Sequence, residues 1–145
     1  MAPSAILFAC TMNAVRSPMA AALMRHLSAK GVHVESAGVR AGDLDPLAVE
    51  AMDEIGLAIG KHRPRRFEEL EDGFFDLVIT LSPEAQHKAM EMTRTAATEV
   101  EYWPTMDPTA VEGSREQRLL AYRAVRDQLL ERLKQRFSGP RAADT

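Results

Sequence analysis

The chain has 145 residues, 46% of them hydrophobic and 27% charged, which allows one domain with a sizeable core and excludes a disordered or fibrous chain. The formal charge of −3 gives no global basic excess for gripping a nucleic-acid backbone. A single cysteine, Cys10, excludes an internal disulfide framework and a multi-cysteine zinc site.

Ala5–Ala9 is a continuous apolar run and predicts a buried strand. Pro18 opens a helix with Ser17 as its cap, an apolar face of Ala20, Leu23, Met24 and Leu27, and Gly31 as its end. Val32–Ser36 predicts a second strand. Asp45-Pro46 caps a second helix with Ala48, Ala51, Met52 and Ile55 on one face and Gly56 at its close. Phe74–Leu81 carries the clearest strand pattern. Ser82-Pro83 starts a helix that reaches about Thr93, and Glu99–Trp103 predicts a fourth strand. Ser114–Phe137 is a long amphipathic helix with Leu119, Tyr122, Val125, Leu129, Leu133 and Phe137 inward, and 138–145 is expected to be a frayed tail.

Strands alternating with helices imply a single α/β domain spanning 1–145, a parallel sheet covered on both faces with right-handed crossovers. Met1–Ala9 lacks the charged start of a signal peptide, and no run of 18 apolar residues occurs. The expectation is a soluble cytoplasmic protein that binds neither membrane nor nucleic acid. The lone thiol agrees with a reducing compartment.

In such sheets ligands sit beyond the carboxyl ends of strands, which points to the loop after the first strand. It reads Cys10-Thr11-Met12-Asn13-Ala14-Val15-Arg16-Ser17-Pro18. A loop of this length can wrap backbone N–H groups around a tetrahedral oxyanion, and the following helix start adds partial positive charge. Arg16 can grip two of the oxygens, and the same positive field would stabilise a nucleophilic thiolate on Cys10. Ser17 can donate its hydroxyl to that sulfur. The competing reading of Cys10 is a small buried hydrophobe at a strand end.

The run Ile6-Leu7-Phe8-Ala9-Cys10-x-x-Asn13-x-x-Arg16-Ser17-Pro18-Met19-Ala20 resembles the signature of the low-molecular-weight protein tyrosine phosphatases, whose fold and loop are shared by thioredoxin-coupled arsenate reductases. The resemblance spans about Ser4 to Phe137. Ser36-Ala37-Gly38, His62-Arg63-Pro64-Arg65, Phe75-Asp76-Leu77-Val78-Ile79 and Asp107-Pro108 recur in family order. It implies a three-layer sandwich on a four-stranded parallel sheet of order 2-1-3-4. It implies Cys10 as the nucleophile that forms a cysteinyl-phosphate, Arg16 on the phosphoryl oxygens, Ser17 tuning the thiolate and Asp107 as general acid and then base. It also implies phosphate or sulfate binding in the Cys10–Arg16 loop, Asn13 held in a left-handed conformation by Ser36 and His62, a Glu35–Arg65 pair joining neighbouring loops, and no metal or cofactor. The substrate expected on these grounds is a phosphomonoester, protein phosphotyrosine foremost. Arsenate reduction by an external thiol and a non-catalytic phosphate-binding module are the alternatives.

Asp45-Pro46 and Asp107-Pro108 are the two Asp-Pro pairs. The first fits a helix cap. The second lies after the fourth strand, with no helix expected before Ser114. Met12 stands where the family commonly has glycine, Val15 where many members have a second cysteine, and Ser82 where aspartate is frequent. Val39–Asp43 carries no aromatic wall for an aryl ring. Trp103 has two readings, a wall of the site or a core residue at a strand end. The basic run Lys61-His62-Arg63-Pro64-Arg65-Arg66 reads either as an attractor of anions or as a solvated face.

Overall fold

The computed structural model describes residues 3–28, 31–70, 74–93 and 97–144, of which 138–144 are described by backbone alone. Four strands, β1 (Ala5–Cys10), β2 (His33–Gly38), β3 (Leu77–Thr80) and β4 (Glu99–Tyr102), form one sheet of order β2-β1-β3-β4. All three pairings are parallel, with Cys10 opposite Gly38 and Ala9 opposite both Ala37 and Thr80. The chain leaves β1 toward one neighbour and later returns on its other side. Strand order therefore reverses at β1, and the carboxyl end of β1 opens into the crevice where such sheets bind ligands. Cys10 is its last residue.

Alternation along β1 sends Ile6, Phe8 and Cys10 to one face and Leu7 and Ala9 to the other. On the first face they meet α1 (Arg16–Leu27) and α4 (Arg115–Asp144), with α2 (Pro46–Asp53) packed against α4. Leu119, Tyr122, Val125, Leu129 and Leu133 are all buried there, as the helix period predicts, and Phe137 is partly buried. On the second face Ala85 and Ala89 of α3 (Pro83–Met92) lie with Phe67 and Phe75. This is the expected three-layer α/β arrangement.

The predicted cap at Asp45 holds, and the predicted helix start at Ser82 is capped as well. Asp45 Oδ1 accepts from the Leu47 N–H at 2.9 Å, and Ser82 Oγ accepts from the Ala85 N–H at 3.2 Å. Other local expectations are corrected. Helix α1 begins at Arg16, so Ser17 is not its cap: Val15 holds that position with no side-chain hydrogen bond, and Ser17 lies in the first turn. The helix ends at Leu27 with Ser28 as C-cap, and Gly31 follows in a turn at φ 99°. Helix α2 stops at Asp53, which takes Ile55 off its apolar face and leaves it exposed. Strand β3 begins at Leu77, and Phe74 before it is exposed. Helix α4 runs past Phe137 to Asp144, so the expected frayed tail is helical backbone through that residue, and Thr145 lies outside the described residues.

Among the described residues no helix is long and apolar enough to cross a membrane.

Candidate active site

The loop from Cys10 to Arg16 is stitched to its neighbours through its carbonyls. Cys10 O accepts from Val39 N at 3.1 Å, Thr11 O from Arg40 N at 2.8 Å, Met12 O from Gly42 N at 2.9 Å and Ala14 O from Asp45 N at 3.3 Å. In a planar trans peptide the N–H points opposite to the C=O. Anchoring the carbonyls outward therefore presents the N–H groups inward, as an oxyanion cradle requires. The start of α1 adds its partial positive charge.

The 39–42 segment approaches so closely that Gly38 has no room for a side chain. A Cβ there would lie 2.5 Å from Arg40 O and 2.8 Å from Asn13 N. Glycine in the Ser-Ala-Gly segment is a packing requirement of the cradle.

Asn13 is the only non-glycine residue with positive φ among those described, at 55°. Such a backbone is tolerated by asparagine and held by its surroundings. Its Nδ2 donates to Ser17 Oγ at 2.8 Å and to Ser36 Oγ at 3.0 Å, and its Oδ1 accepts from the Arg65 N–H at 2.9 Å. His62 Nε2 lies 3.1 Å from Asn13 Oδ1 and 3.2 Å from Asn13 O. Both partners are acceptors, so Nε2 carries the proton. Burial pushes the His62 pKa below its ordinary value, and the Arg25 charge adds to this, while the bond to Asn13 acts in the opposite sense. Arg65 also pairs with Glu35, and its Nε donates to Ser36 O at 3.1 Å, which ties β2 to the segment after α2. Ser36, His62 and the Glu35–Arg65 pair thus lie where the resemblance placed them.

Cys10 is buried, and its sulfur is 3.0 Å from Ser17 Oγ. The Asn13 amide donates to the same hydroxyl oxygen, which leaves the hydroxyl proton free to point at sulfur. Arg16 is almost fully buried, and its Nη1 donates to Thr105 O at 2.9 Å. Its Nη2 is 3.9 Å from Asp107 Oδ2. Cys10, Met12, Ala14, Val15, Arg16 and Asp107 share a cavity of about 190 Å³.

Asp107 is on the loop after β4 and half exposed. Contrary to expectation it too starts a helical turn, a 3-10 turn over Pro108–Ala110, and its Oδ1 takes the Thr109 N–H at 3.0 Å and the Thr109 hydroxyl at 2.7 Å. The other carboxylate oxygen faces Arg16. Trp103 resolves to the core: it is buried, Arg132 lies over its ring at 4.8 Å, and it does not line the cavity. Ser82, beyond capping α3, accepts from Thr11 Oγ1 at 3.0 Å and so fastens the loop to the end of β3.

Sequence reasoning did not find the Thr105 carbonyl that holds Arg16, the Arg65 N–H that holds Asn13, or the Tyr122 hydroxyl that donates to Asp45 Oδ2 at 2.6 Å. Backbone groups carry no side-chain signature, and the Tyr122 partner lies 77 residues away. The arrangement as a whole can bind a tetrahedral oxyanion, attack its central atom with sulfur and offer a carboxyl group to the departing atom.

Comparison with known proteins agrees with this geometry. The chain matches the model of a family described as low molecular weight phosphotyrosine protein phosphatase over residues 5–140. It is 34% identical over 134 residues to a protein of Shouchella clausii named arsenate reductase, covering 92% of this chain and 95% of that one. Among solved structures, a YwlE arginine phosphatase with a phosphorylated active-site serine is 30% identical with a TM-score of 0.72, covering 90% of this chain and 91% of the other. An arsenate reductase in the phosphate-binding state is 27% identical with a TM-score of 0.69, covering 90% and 94%. With its cradle at the end of β1 and this match over almost its whole length, the chain belongs to the low molecular weight phosphotyrosine protein phosphatase family.

Proposed function

We propose that the chain is a phosphatase that hydrolyses phosphomonoesters, protein phosphotyrosine foremost, through a cysteinyl-phosphate on Cys10. The observation that carries this reading is the meeting of Cys10, Arg16 and Asp107 in one small cavity, with Ser17 Oγ behind it on the Cys10 sulfur.

In the first step the Cys10 thiolate attacks phosphorus and the bond to the ester oxygen breaks. Asp107 gives its proton to the departing oxygen. The cradle N–H groups and the Arg16 guanidinium hold the three equatorial oxygens as charge spreads over them. The Thr105 carbonyl keeps Arg16 pointed into the cavity, beside Asp107. In the second step the Asp107 carboxylate takes a proton from water, the water oxygen bonds to phosphorus, and sulfur leaves as thiolate with the Ser17 hydroxyl donating to it. Phosphate departs.

Met12 is the one large apolar side chain at the mouth and is partly exposed. An aryl ring would lie against its thioether, since no aromatic side chain lines the cavity. The chemistry is matched to a reducing cytoplasm, where the lone thiol stays available.

The test is hydrolysis of para-nitrophenyl phosphate by wild type and Cys10→Ser, followed by a panel of phosphotyrosine peptide, phenyl phosphate and phosphoarginine. Cys10→Ser should lower turnover by roughly 10⁴-fold or more. Substantial residual turnover would overturn the mechanism.

A second reading is favoured by the arsenate reductases among the relatives. Arsenate would occupy the same cradle, Cys10 sulfur would bond to arsenic with loss of water, and an external thiol would attack that sulfur, releasing arsenite and leaving a mixed disulfide. A second external thiol would free Cys10. These 145 residues hold one cysteine, so both reducing thiols come from outside. Thiol-dependent arsenite formation without phosphatase activity would establish this reading in place of the first.

A further inference from the structure

A second cavity, of about 460 Å³, lies between α1 and the 56–62 segment. Its charged and titratable lining residues are Arg25, His26, Lys61 and His62, all basic, set against apolar Leu57 and Ile59. The overall charge of the chain is negative, so this local excess is not a by-product of composition. Several cations elsewhere are answered by carboxylates: Arg123 and Arg126 by Glu54, Arg136 by Glu101, Lys88 by Glu68. Among the described residues Arg25, His26 and Lys61 have no such partner.

Arg25 is fixed in place by donating Nη2 to Val34 O at 2.7 Å. Desolvation and the nearby Arg65 charge hold its pKa below the ordinary value, and Arg25 in turn disfavours charge on His62. The basic groups on both walls thus face a space with no carboxylate in its lining, which an anion would fill. The volume falls in the range of small-molecule sites and exceeds what one orthophosphate needs. Two long cations and two imidazoles, spread over both walls, suit several linked anionic groups better than one. This space is separate from the Cys10 cradle, and His62 stands between them with Nε2 on Asn13.

We propose that this cavity is a second anion site, one that takes a multivalent phosphate anion such as a triphosphate group. Its occupant would sit against His62, one side chain away from the strained Asn13. The proposal concerns binding and stands whether the chain acts on phosphate esters or on arsenate.

The experiment is an NMR titration of the His26 and His62 imidazole resonances with inorganic tripolyphosphate. It is run in orthophosphate sufficient to fill the Cys10 loop. Both histidines should shift along one saturable isotherm. Lys61→Glu should weaken that isotherm about 10-fold, whereas Lys134→Glu, the same charge change on exposed α4 surface outside the cavity, should leave it in place. A nucleoside triphosphate in a parallel arm shows whether Leu57 and Ile59 also read an organic group: tighter binding than tripolyphosphate assigns the site to nucleotides, and equal binding assigns it to the phosphate chain. The proposal is overturned by silent histidines at several millimolar tripolyphosphate. It is equally overturned by shifts that vanish once orthophosphate fills the loop, or by equal weakening in Lys61→Glu and Lys134→Glu, which would mark diffuse attraction.

Discussion

Asp45-Pro46 and Asp107-Pro108 are built alike. In each, aspartate stands at the start of a helical turn with proline behind it, and one carboxylate oxygen accepts the N–H two residues on, at 2.9 Å for Leu47 and 3.0 Å for Thr109. Both aspartates line the same cavity. They differ in the second oxygen. That of Asp45 accepts from the Tyr122 hydroxyl at 2.6 Å, and burial together with the carboxylate holds the Tyr122 pKa well above its ordinary value. That of Asp107 faces Arg16 at 3.9 Å on a half-exposed side chain. A capping carboxylate spends one oxygen on the backbone, and the surroundings of the other decide whether it can exchange a proton with substrate. Both oxygens of Asp45 are held by structural donors, whereas the second oxygen of Asp107 faces Arg16 in the cavity.

The largest effect that tests this contrast is on leaving-group chemistry. Asp107→Asn keeps an oxygen for Thr109 and removes the exchangeable proton. Turnover of phenyl phosphate should fall by about 10²–10⁴-fold, with a much smaller loss on para-nitrophenyl phosphate, whose leaving group needs little protonation. The unfolding midpoint should hardly move. Equal losses on the two esters would break the assignment of Asp107 as the acid.

Asp45→Ala should show the converse. It removes a helix cap and orphans a buried tyrosine hydroxyl, so urea denaturation should report a loss of about 2–4 kcal/mol. The ratio of rates on the two esters should stay at its wild-type value. A changed ratio would move the acid role toward Asp45.

Tyr122→Phe is a finer cut at the same interaction. It leaves the Leu47 cap in place and removes one hydrogen bond to a charged group, which should cost about 1.5–3 kcal/mol in the same denaturation measurement. No measurable loss would mean that the Asp45 oxygen is satisfied without Tyr122.

The smallest effect concerns the support that the cradle shares. The pKa of His62 is lowered in the folded chain, from 6.5, chiefly by burial. As pH falls the unfolded chain takes up this proton first. The contribution of His62 is therefore fully present above the unfolded value and is lost as pH falls through the lower folded value. Stability measured from pH 8 downward should decline in that window for wild type and decline less for His62→Gln. Identical profiles would remove His62 from the linkage.

Much of the site was legible because it is contiguous. Cys10, Asn13, Arg16 and Ser17 lie within eight residues between a strand and a helix, and their spacing already implies an anion cradle. Ser36, His62 and Arg65 were reachable through family resemblance, and hydrogen bonds around Asn13 are what unite them. Readings failed or stayed open where a local pattern met a tertiary demand. Ser17 reads as a helix cap, but wrapping the loop draws Arg16 and Ser17 into the first helical turn, where the hydroxyl reaches sulfur. Trp103 was an even choice between wall and core, and burial beside Arg132 placed it in the core. Ile55 fits the period of α2 but lies beyond its last turn.

Periodicity, caps and the order of strands and helices are written in neighbouring residues. The sequence by itself therefore determined a parallel α/β sheet with its one thiol at the end of the first strand. The roles of the two Asp-Pro pairs were left to the tertiary structure. They depend on groups 77 and 91 residues away, Tyr122 for Asp45 and Arg16 for Asp107, that only the packing of α4 and the β4 loop bring within reach.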